Sequence, residues 1–232
     1  MRPRISVVLP TKEEEGAFST IASLKRMFPS GLEIIVIDKS SKQFFSRIKR
    51  TGVRVFRQRS SGVENAMIEG LRKASGSVIA SVDADGTHEL SGIARGIKLI
   101  EAGQADLVLG NRMDGLERGS MSGYLRFGNA ALSSIFNLLY GQDIHDVLTG
   151  MLIMDRKALD AVKRINPEGS PIAFFQVQIA RRGFRLGEVR IRYSKRRYGK
   201  SRLAKSKFLY GISTALYMIK ERIASLPAGQ HK

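Results

Sequence analysis

Asp83 and Asp85 stand one residue apart, directly after a short apolar run at 78–82. Two carboxylates at this spacing offer hard oxygen ligands suited to Mg²⁺ or Mn²⁺, ions that usually fill the rest of their shell with water and substrate phosphate oxygens. On an extended strand end, residues i and i+2 project to one side, so both acids would address one ion. Neither G-x-G-x-x-G nor G-x-x-x-x-G-K-[ST] occurs in the chain. Any phosphate bound here would therefore be neutralised by something other than a glycine-rich backbone cradle, and a divalent metal on the two acids is the natural candidate. Taken alone, the pair is better explained as the polar start of a turn, and its surroundings have to decide.

Those surroundings repeat the pattern. Thr11 with Glu13 and Glu14, Asp38 with Ser40, and Asn111 with Arg112 each follow a strand-length apolar run. The runs are "RISVVLP", "LEIIVID", "VRVF", "SVIASVDAD" and "ADLVLGNR", rich in Val and Ile. Between them, 14–27, 43–50, 63–73 and 90–101 carry apolar residues at helical spacing, such as Ile93, Ile97 and Ile100. Alternation at this length predicts an α/β fold with a mostly parallel central sheet flanked by helices on both faces. Ligands bind beyond the carboxyl ends of such strands, so the four polar ends are expected on one rim.

The second half has another texture. Residues 110–123 are rich in Gly, Ser and Met and read as a mobile loop of functional length. Leu125, Leu132, Ile135, Phe136 and Leu139 then share a broad apolar helical surface. "LTGMLIMD" reads as a strand, "PIAFFQVQIARRG" as a helix started by Pro171 and ended by Gly183, and "FRLGEVRIRY" as a strand. In the tail at 204–226, Phe208, Leu209, Ile212, Leu216, Ile219 and Ile223 form a helical stripe flanked by Lys205, Lys207, Lys220 and Arg222. Such a stripe packs on the protein's own body or a partner, or lies in a membrane interface.

Charge narrows the partners. The net charge is +18, and 181–207 holds twelve Lys or Arg against one acid, Glu188. This attracts polyanions: a phosphorylated substrate, an anionic membrane surface or nucleic acid. The absence of Trp, an aromatic content of 7% and the lack of a stacking or helix-turn-helix motif argue against nucleic acid. Without cysteine there is no disulfide, thiolate zinc site or thiol nucleophile. The apolar run at 5–9 ends in Pro10 and is too short for a signal peptide, and the uncharged stretches at 127–142 and 208–219 are shorter than the roughly 20 residues that span a bilayer. The expectation is a cytoplasmic protein held peripherally on the cytoplasmic face of a membrane.

In order along the chain stand P-T-x-x-E at 10–14, the Asp38 strand end, Asp83-Ala84-Asp85 with His88, G-x-R at 110–112 and Arg126. D-x-x-T-G at 146–150, "GEV" at 187–189 and R-x-Y-G-x-S-[KR]-L at 196–203 complete the set, which covers nearly the whole chain. It resembles family 2 glycosyltransferases of the GT-A fold, and among them the single-domain dolichyl-phosphate mannose synthases. The resemblance implies a Rossmann-like catalytic domain over 1–203, with a flexible acceptor loop near 113–123 and an amphipathic interfacial tail over 204–232. It implies inverting, metal-dependent transfer of a hexose, with GDP-mannose the favoured donor and dolichyl or polyprenyl phosphate the acceptor. By position, Pro10, Thr11, Glu14 and Asp38 would contact the nucleotide sugar, and Asp83 and Asp85 would hold nucleotide and Mg²⁺ or Mn²⁺. Arg112 and Arg126 would bind the acceptor phosphate, and Arg196 would close over the phosphates.

Five positions depart from that pattern. Lys39 stands where a second acid is common, Thr87 where a metal-proximal Gln is frequent, Gln176 and Gln178 where acids are frequent, and Ala130 where a small hydroxyl residue is expected. UDP-glucose or UDP-N-acetylhexosamine as donor, a glycan as acceptor, and, from a different class, a nucleic-acid-binding protein or a degenerate protein that only binds nucleotide sugar stay open as alternatives.

Overall fold

The computed structural model describes residues 4–165, 171, 173–196 and 207–225. Strands β1 (Ile5–Thr11), β2 (Leu32–Asp38), β3 (Arg54–Arg57), β4 (Val78–Ser81), β5 (Leu107–Asn111), β6 (Leu152–Asp155) and β7 (Leu186–Arg190) form one sheet. Their order is β3-β2-β1-β4-β6-β5-β7. Only β6 runs antiparallel to its neighbours β4 and β5, so the mostly parallel sheet expected from the alternation is what forms.

Both faces are covered. In β1, Val7 and Leu9 point into a core with α1 (Gly16–Met27), α2 (Lys42–Lys49) and α4 (Ser91–Glu101). Val8 points the other way, toward α3 (Val63–Leu71), α5 (Gly123–Tyr140), α6 (Arg156–Val162), α7 (Phe174–Ala180) and α8 (Lys207–Ile223). That is why the strand reads as a continuous apolar run. Helix α3 comes so close to β1 that a Cβ on Gly70 would lie 2.3 Å from Val8 Cγ1. Gly141, at φ 63, ends α5 in the left-handed conformation that commonly closes a helix.

Two local expectations change. Helix α7 begins at Phe174, whose N–H donates to the Pro171 carbonyl at 2.9 Å, so Pro171 precedes the helix by a turn instead of starting it. Strand β4 stops at Ser81, which puts Asp85 in a turn; alternation along an extended strand end therefore does not align the two acids. In the motif at 196–203, only Arg196 lies within the described residues, and 204–206 and 226 of the expected tail helix lie outside them.

Helix α8 settles which way its stripe faces. Thr214 and Met218 are buried, whereas Phe208, Leu209, Ile212, Leu216, Ile219 and Ile223 are exposed, Leu216 at 61%. The helix is seated by polar anchors: Gln178 Nε2 donates to Tyr217 Oη and to Glu221 Oε2, both at 2.8 Å, and Arg181 pairs with Glu221. Tyr140 Oη donates to the Met218 carbonyl at 2.7 Å. Helix α5 also turns apolar side chains outward, with Phe127 at 75% and Leu138 at 86% exposure beside Tyr124. Among the described residues, no helix is long and apolar enough to cross a membrane.

Candidate active site at the rim of the sheet

The carboxyl ends of β1, β2, β4, β5 and β7 meet on one rim. Because β6 is antiparallel, its entry segment, with Asp146, Thr149 and Gly150, reaches the same rim.

At one end of this rim Asp38 is fully buried. Its carboxylate accepts from Thr11 Oγ1 at 2.9 Å, Arg57 Nη1 at 3.1 Å, the Ser40 N–H at 3.2 Å and the Ser40 hydroxyl. Four donors occupy the roughly four acceptor positions of a carboxylate, so Asp38 fixes the shape of this end. Pro10 pairs across from Ile37 just before it. Glu13, at φ 49, occupies left-handed backbone space that non-glycine residues seldom use. It is held there by its N–H on Ser40 Oγ at 2.6 Å and by the Ser41 N–H on its carboxylate. Lys39 Nζ bonds Ser61 Oγ at 3.0 Å, tying the end of β2 to the loop before α3.

At the centre, Asp85 is buried and doubly engaged. Its Oδ1 accepts the Thr87 N–H at 3.1 Å and the Thr87 hydroxyl at 2.7 Å, an Asx turn that fixes the carboxylate. Its Oδ2 accepts Arg196 Nη2 at 2.5 Å, and Arg196 Nη1 reaches Glu14 at 3.2 Å. Thr87, in place of the usual amide, thus acts on Asp85. Since the Thr87 hydroxyl hydrogen goes to Asp85, the contact with His88 Nδ1 at 3.2 Å is an N–H donated by His88. Burial pushes the His88 pKa down, against the pull of Asp83, and the ring packs edge-on to Tyr193 at 5.2 Å.

Asp83 differs. Its side chain is 40% exposed, it makes no hydrogen bond among the described residues, and His88 Nδ1 lies 3.9 Å from its Oδ2. A Cβ on Gly150 would sit 2.4 Å from Asp83 Oδ2, so glycine there is what gives this carboxylate its place. One open carboxylate beside one already facing a cation is a donor set that fits Mg²⁺ or Mn²⁺. No cluster of three His, Cys, Asp or Glu able to hold a metal exists among the described residues, and an ion on Asp83 and Asp85 would be the kind that fills its shell with substrate phosphate and water.

The three predicted arginines are not equivalent. Arg196 sits on Asp85. Arg112 is buried and forked onto Asp146, with Nε and Nη2 each at 2.7 Å and its backbone N–H at 2.9 Å; Nη2 also reaches the Leu148 carbonyl at 2.9 Å. Burial opposes its charge, but Asp146 overcomes that and holds the pKa above its ordinary value. The Tyr193 ring lies 5.3 Å from the guanidinium carbon. Arg126, in the first turns of α5, is exposed and makes no side-chain bond among the described residues. The loop between them is stitched to the segment after β7: Tyr193 N–H donates to Gly115 O at 2.9 Å, and Glu117 N–H to Tyr193 O at 3.0 Å. Gln176 Nε2 holds the Val147 carbonyl at 2.8 Å, Gln178 seats α8, and Ala130 is exposed on α5.

A profile of glycosyl transferase family 2 matches residues 6–163, more than half of the chain. The chain belongs to glycosyl transferase family 2. This family-2 chain is 29% identical to the low-salt glycan biosynthesis hexosyltransferase Agl6 of Haloferax volcanii, over 69% of its length but only 40% of that relative. It is 28% identical to a dolichyl-phosphate hexose transferase of the same organism, over 83% of both chains. Its structure superposes on glucosyl-3-phosphoglycerate synthase from Mycobacterium tuberculosis, solved with Mn²⁺ and UDP-glucose, with a TM-score of 0.65 at 19% identity, covering 98% of this chain and 81% of that one. The fold is thus GT-A, a mostly parallel sheet flanked by helices and carrying a C-terminal helix. Sequence reasoning about this family-2 glycosyltransferase missed Arg57 and Tyr193. Arg57 lies in register with Asp38, a pairing visible only once β3 is placed beside β2.

Proposed function

We propose that the protein is a metal-dependent, inverting glycosyltransferase that moves a hexose, mannose from GDP-mannose, onto dolichyl or polyprenyl phosphate at the cytoplasmic face of a membrane. The observation that carries this reading is a juxtaposition. Asp83 and Asp85, the latter bonded to Arg196, occupy the rim, while α5 runs from the rim loop with Arg126 set between the exposed Tyr124 and Phe127. An anionic headgroup and an apolar chain are the two things such a surface accepts together. The mannose preference is supported by the resemblance of the motif set to dolichyl-phosphate mannose synthases.

In this reading, Asp83 and Asp85 hold Mg²⁺ or Mn²⁺, which when bound supplies charge neutralisation to the donor diphosphate. Pro10, Thr11, Glu14 and the Asp38 end receive the nucleoside. Arg196 moves from Asp85 to the diphosphate and stabilises the charge it gains as a leaving group. Arg112 and Arg126 hold the acceptor phosphate, whose oxyanion attacks the anomeric carbon. A carbon–oxygen bond forms there as the bond to the diphosphate breaks, and that electron pair leaves with the nucleoside diphosphate. A phosphate is already ionised at neutral pH, so no general base is required. Arginine suits both duties because its planar fork matches phosphate oxygens. Attack from the far side turns an α-linked donor into a β-linked product.

The tail from 204 onward serves as an interfacial anchor. Its outward stripe, with Lys220 and Arg222 beside it, settles at an anionic membrane surface, where apolar insertion and basic charge act together. Incubating the protein with Mn²⁺ or Mg²⁺, GDP-mannose and undecaprenyl phosphate in vesicles is expected to yield mannosyl-phosphoryl lipid by mass spectrometry. No transfer from any nucleotide sugar overturns the proposal. A thermal-shift ranking of GDP-, UDP- and dTDP-sugars with metal then fixes the donor, and a larger shift with UDP-sugars would move the reading to UDP-glucose or UDP-N-acetylhexosamine.

A further inference from the structure

We infer that Glu188 is the positioning residue for Arg112, acting through the turn that carries Asp146; its effect on catalysis rests on the proposed acceptor role of Arg112. Glu188 lies in the middle of β7, 42 residues along the chain from Asp146, and its side chain is only 11% exposed. Its Oε1 accepts two backbone N–H groups, those of His145 and Asp146, both at 2.9 Å. Its Oε2 accepts Asn111 Nδ2 at 3.2 Å and faces His145 Nδ1 at 3.0 Å. Every one of these donors belongs to a segment that carries either Arg112 or the partner of Arg112.

The consequences run in two directions. Fixing the Asp146 N–H fixes a buried carboxylate that clamps Arg112 through Nε, Nη2 and the backbone N–H. Fixing Asn111 sets the strand end from which Arg112 projects, and Asn111 extends the hold into the loop through Asp114 Oδ2 at 3.0 Å and the Met113 N–H at 2.9 Å. With Nε and Nη2 committed, Nη1 is the guanidinium nitrogen left without a bond among the described residues, and the clamp decides where it points. A glutamine at 188 keeps one acceptor oxygen but replaces the other with a donor facing Asn111 Nδ2, so it preserves half of the hold. Alanine leaves two backbone N–H groups without their acceptor.

The experiment compares wild type with Glu188→Gln, Glu188→Ala, Arg112→Ala and the Glu188→Ala/Arg112→Ala double variant. Two quantities are read: the acceptor KM with GDP–Mn²⁺ affinity as control, and the ¹⁵N resonance of the Arg112 Nε–H in arginine-labelled protein, assigned by its loss in Arg112→Ala. Glu188→Ala is expected to raise the acceptor KM by about 10- to 100-fold, the scale of a displaced binding group. GDP–Mn²⁺ affinity should stay within about twofold on the same reasoning, Glu188→Gln should fall between, and the double variant should be no worse than Arg112→Ala. The Arg112 Nε–H signal should lose its protection from exchange in Glu188→Ala and partly in Glu188→Gln. A protected signal in both variants overturns the inference, as do KM effects that simply multiply in the double variant. An unchanged acceptor KM in Arg112→Ala overturns the acceptor role of Arg112 alone, and the Nε–H signal still decides on Glu188.

Discussion

The rim and the outer faces of α5 and α8 commit their side chains in opposite ways. On the rim, Asp38, Asp85, Asp146 and Glu188 each accept two or more hydrogen bonds, many from residues far away in sequence. On the outer faces, Phe127, Leu138, Phe208, Leu209 and Leu216 stay exposed although the body below has a full apolar core. A buried polar group without partners is costly, so the rim is preorganised before any ligand arrives. An exposed apolar surface is costly in water, and a contiguous one is what a docking face requires. In the proposed reading, the preorganised rim is where sugar transfer takes place and the exposed faces are where the protein docks.

Separating the two regions by mutation is the strongest way to break this contrast. Asp85→Ala should abolish turnover, a loss of about 10²–10³-fold or more, as expected when a charge-stabilising group is removed from a preorganised site. Vesicle co-sedimentation of the same variant should match wild type. Loss of vesicle binding would show that rim and outer face are not separable. The reverse experiment replaces Ile212, Leu216 and Ile219 with Ser. Each buried aliphatic side chain contributes roughly 1.5–3 kcal/mol, so even partial insertion predicts about a hundredfold weaker vesicle binding. Circular dichroism should show the fold kept, because these side chains leave the seat on α7 untouched.

How much of this was legible beforehand follows from the range of the forces involved. Strand ends and the Asp83–Asp85 pair are local signals, and all four polar ends do meet on one rim. Periodicity in α8 shows that a stripe exists but not which way it faces. The direction is set by Thr214, Tyr217, Met218 and Glu221, which bond to or pack on the body from the opposite side. Likewise the antiparallel insertion of β6, which carries Asp146 and Gly150 to the rim, and the bonds from Glu188 to the 145–146 turn depend on pairings across the chain that no local pattern encodes. Reading Asp85 as the end of a strand failed because Thr87 draws the chain into a turn.

Smaller effects sharpen the contrast. Raising ionic strength from 0.05 to 0.5 M, both about these values, should weaken binding to anionic vesicles several-fold by screening Lys220 and Arg222. The rate on a short, water-soluble acceptor phosphate should change much less. The smallest effect lies at acid pH. The Ser91 hydroxyl, with the Arg192 N–H and Arg95, outweighs burial and lowers the Glu89 pKa to about 2 from 4.5. A depressed carboxylate stabilises the fold above its unfolded value and loses that contribution as pH falls from about 4.5 toward 2. Glu89→Gln should therefore flatten the fall of Tm over that window and leave Tm near neutrality slightly reduced. An unchanged acid limb would mean that the Glu89 hold on the segment after β7 does not persist in solution.

The most direct measurement follows sugar transfer from GDP-mannose with Mn²⁺ to two acceptors, undecaprenyl phosphate in anionic vesicles and a short, water-soluble prenyl phosphate. Wild type and the Ile212/Leu216/Ile219→Ser variant are compared side by side. The predicted result is transfer to both acceptors by wild type, and a loss by the variant confined to the vesicle-bound one. Transfer to neither acceptor by wild type, or an equal loss on both by the variant, would contradict the division between a catalytic rim and a docking face.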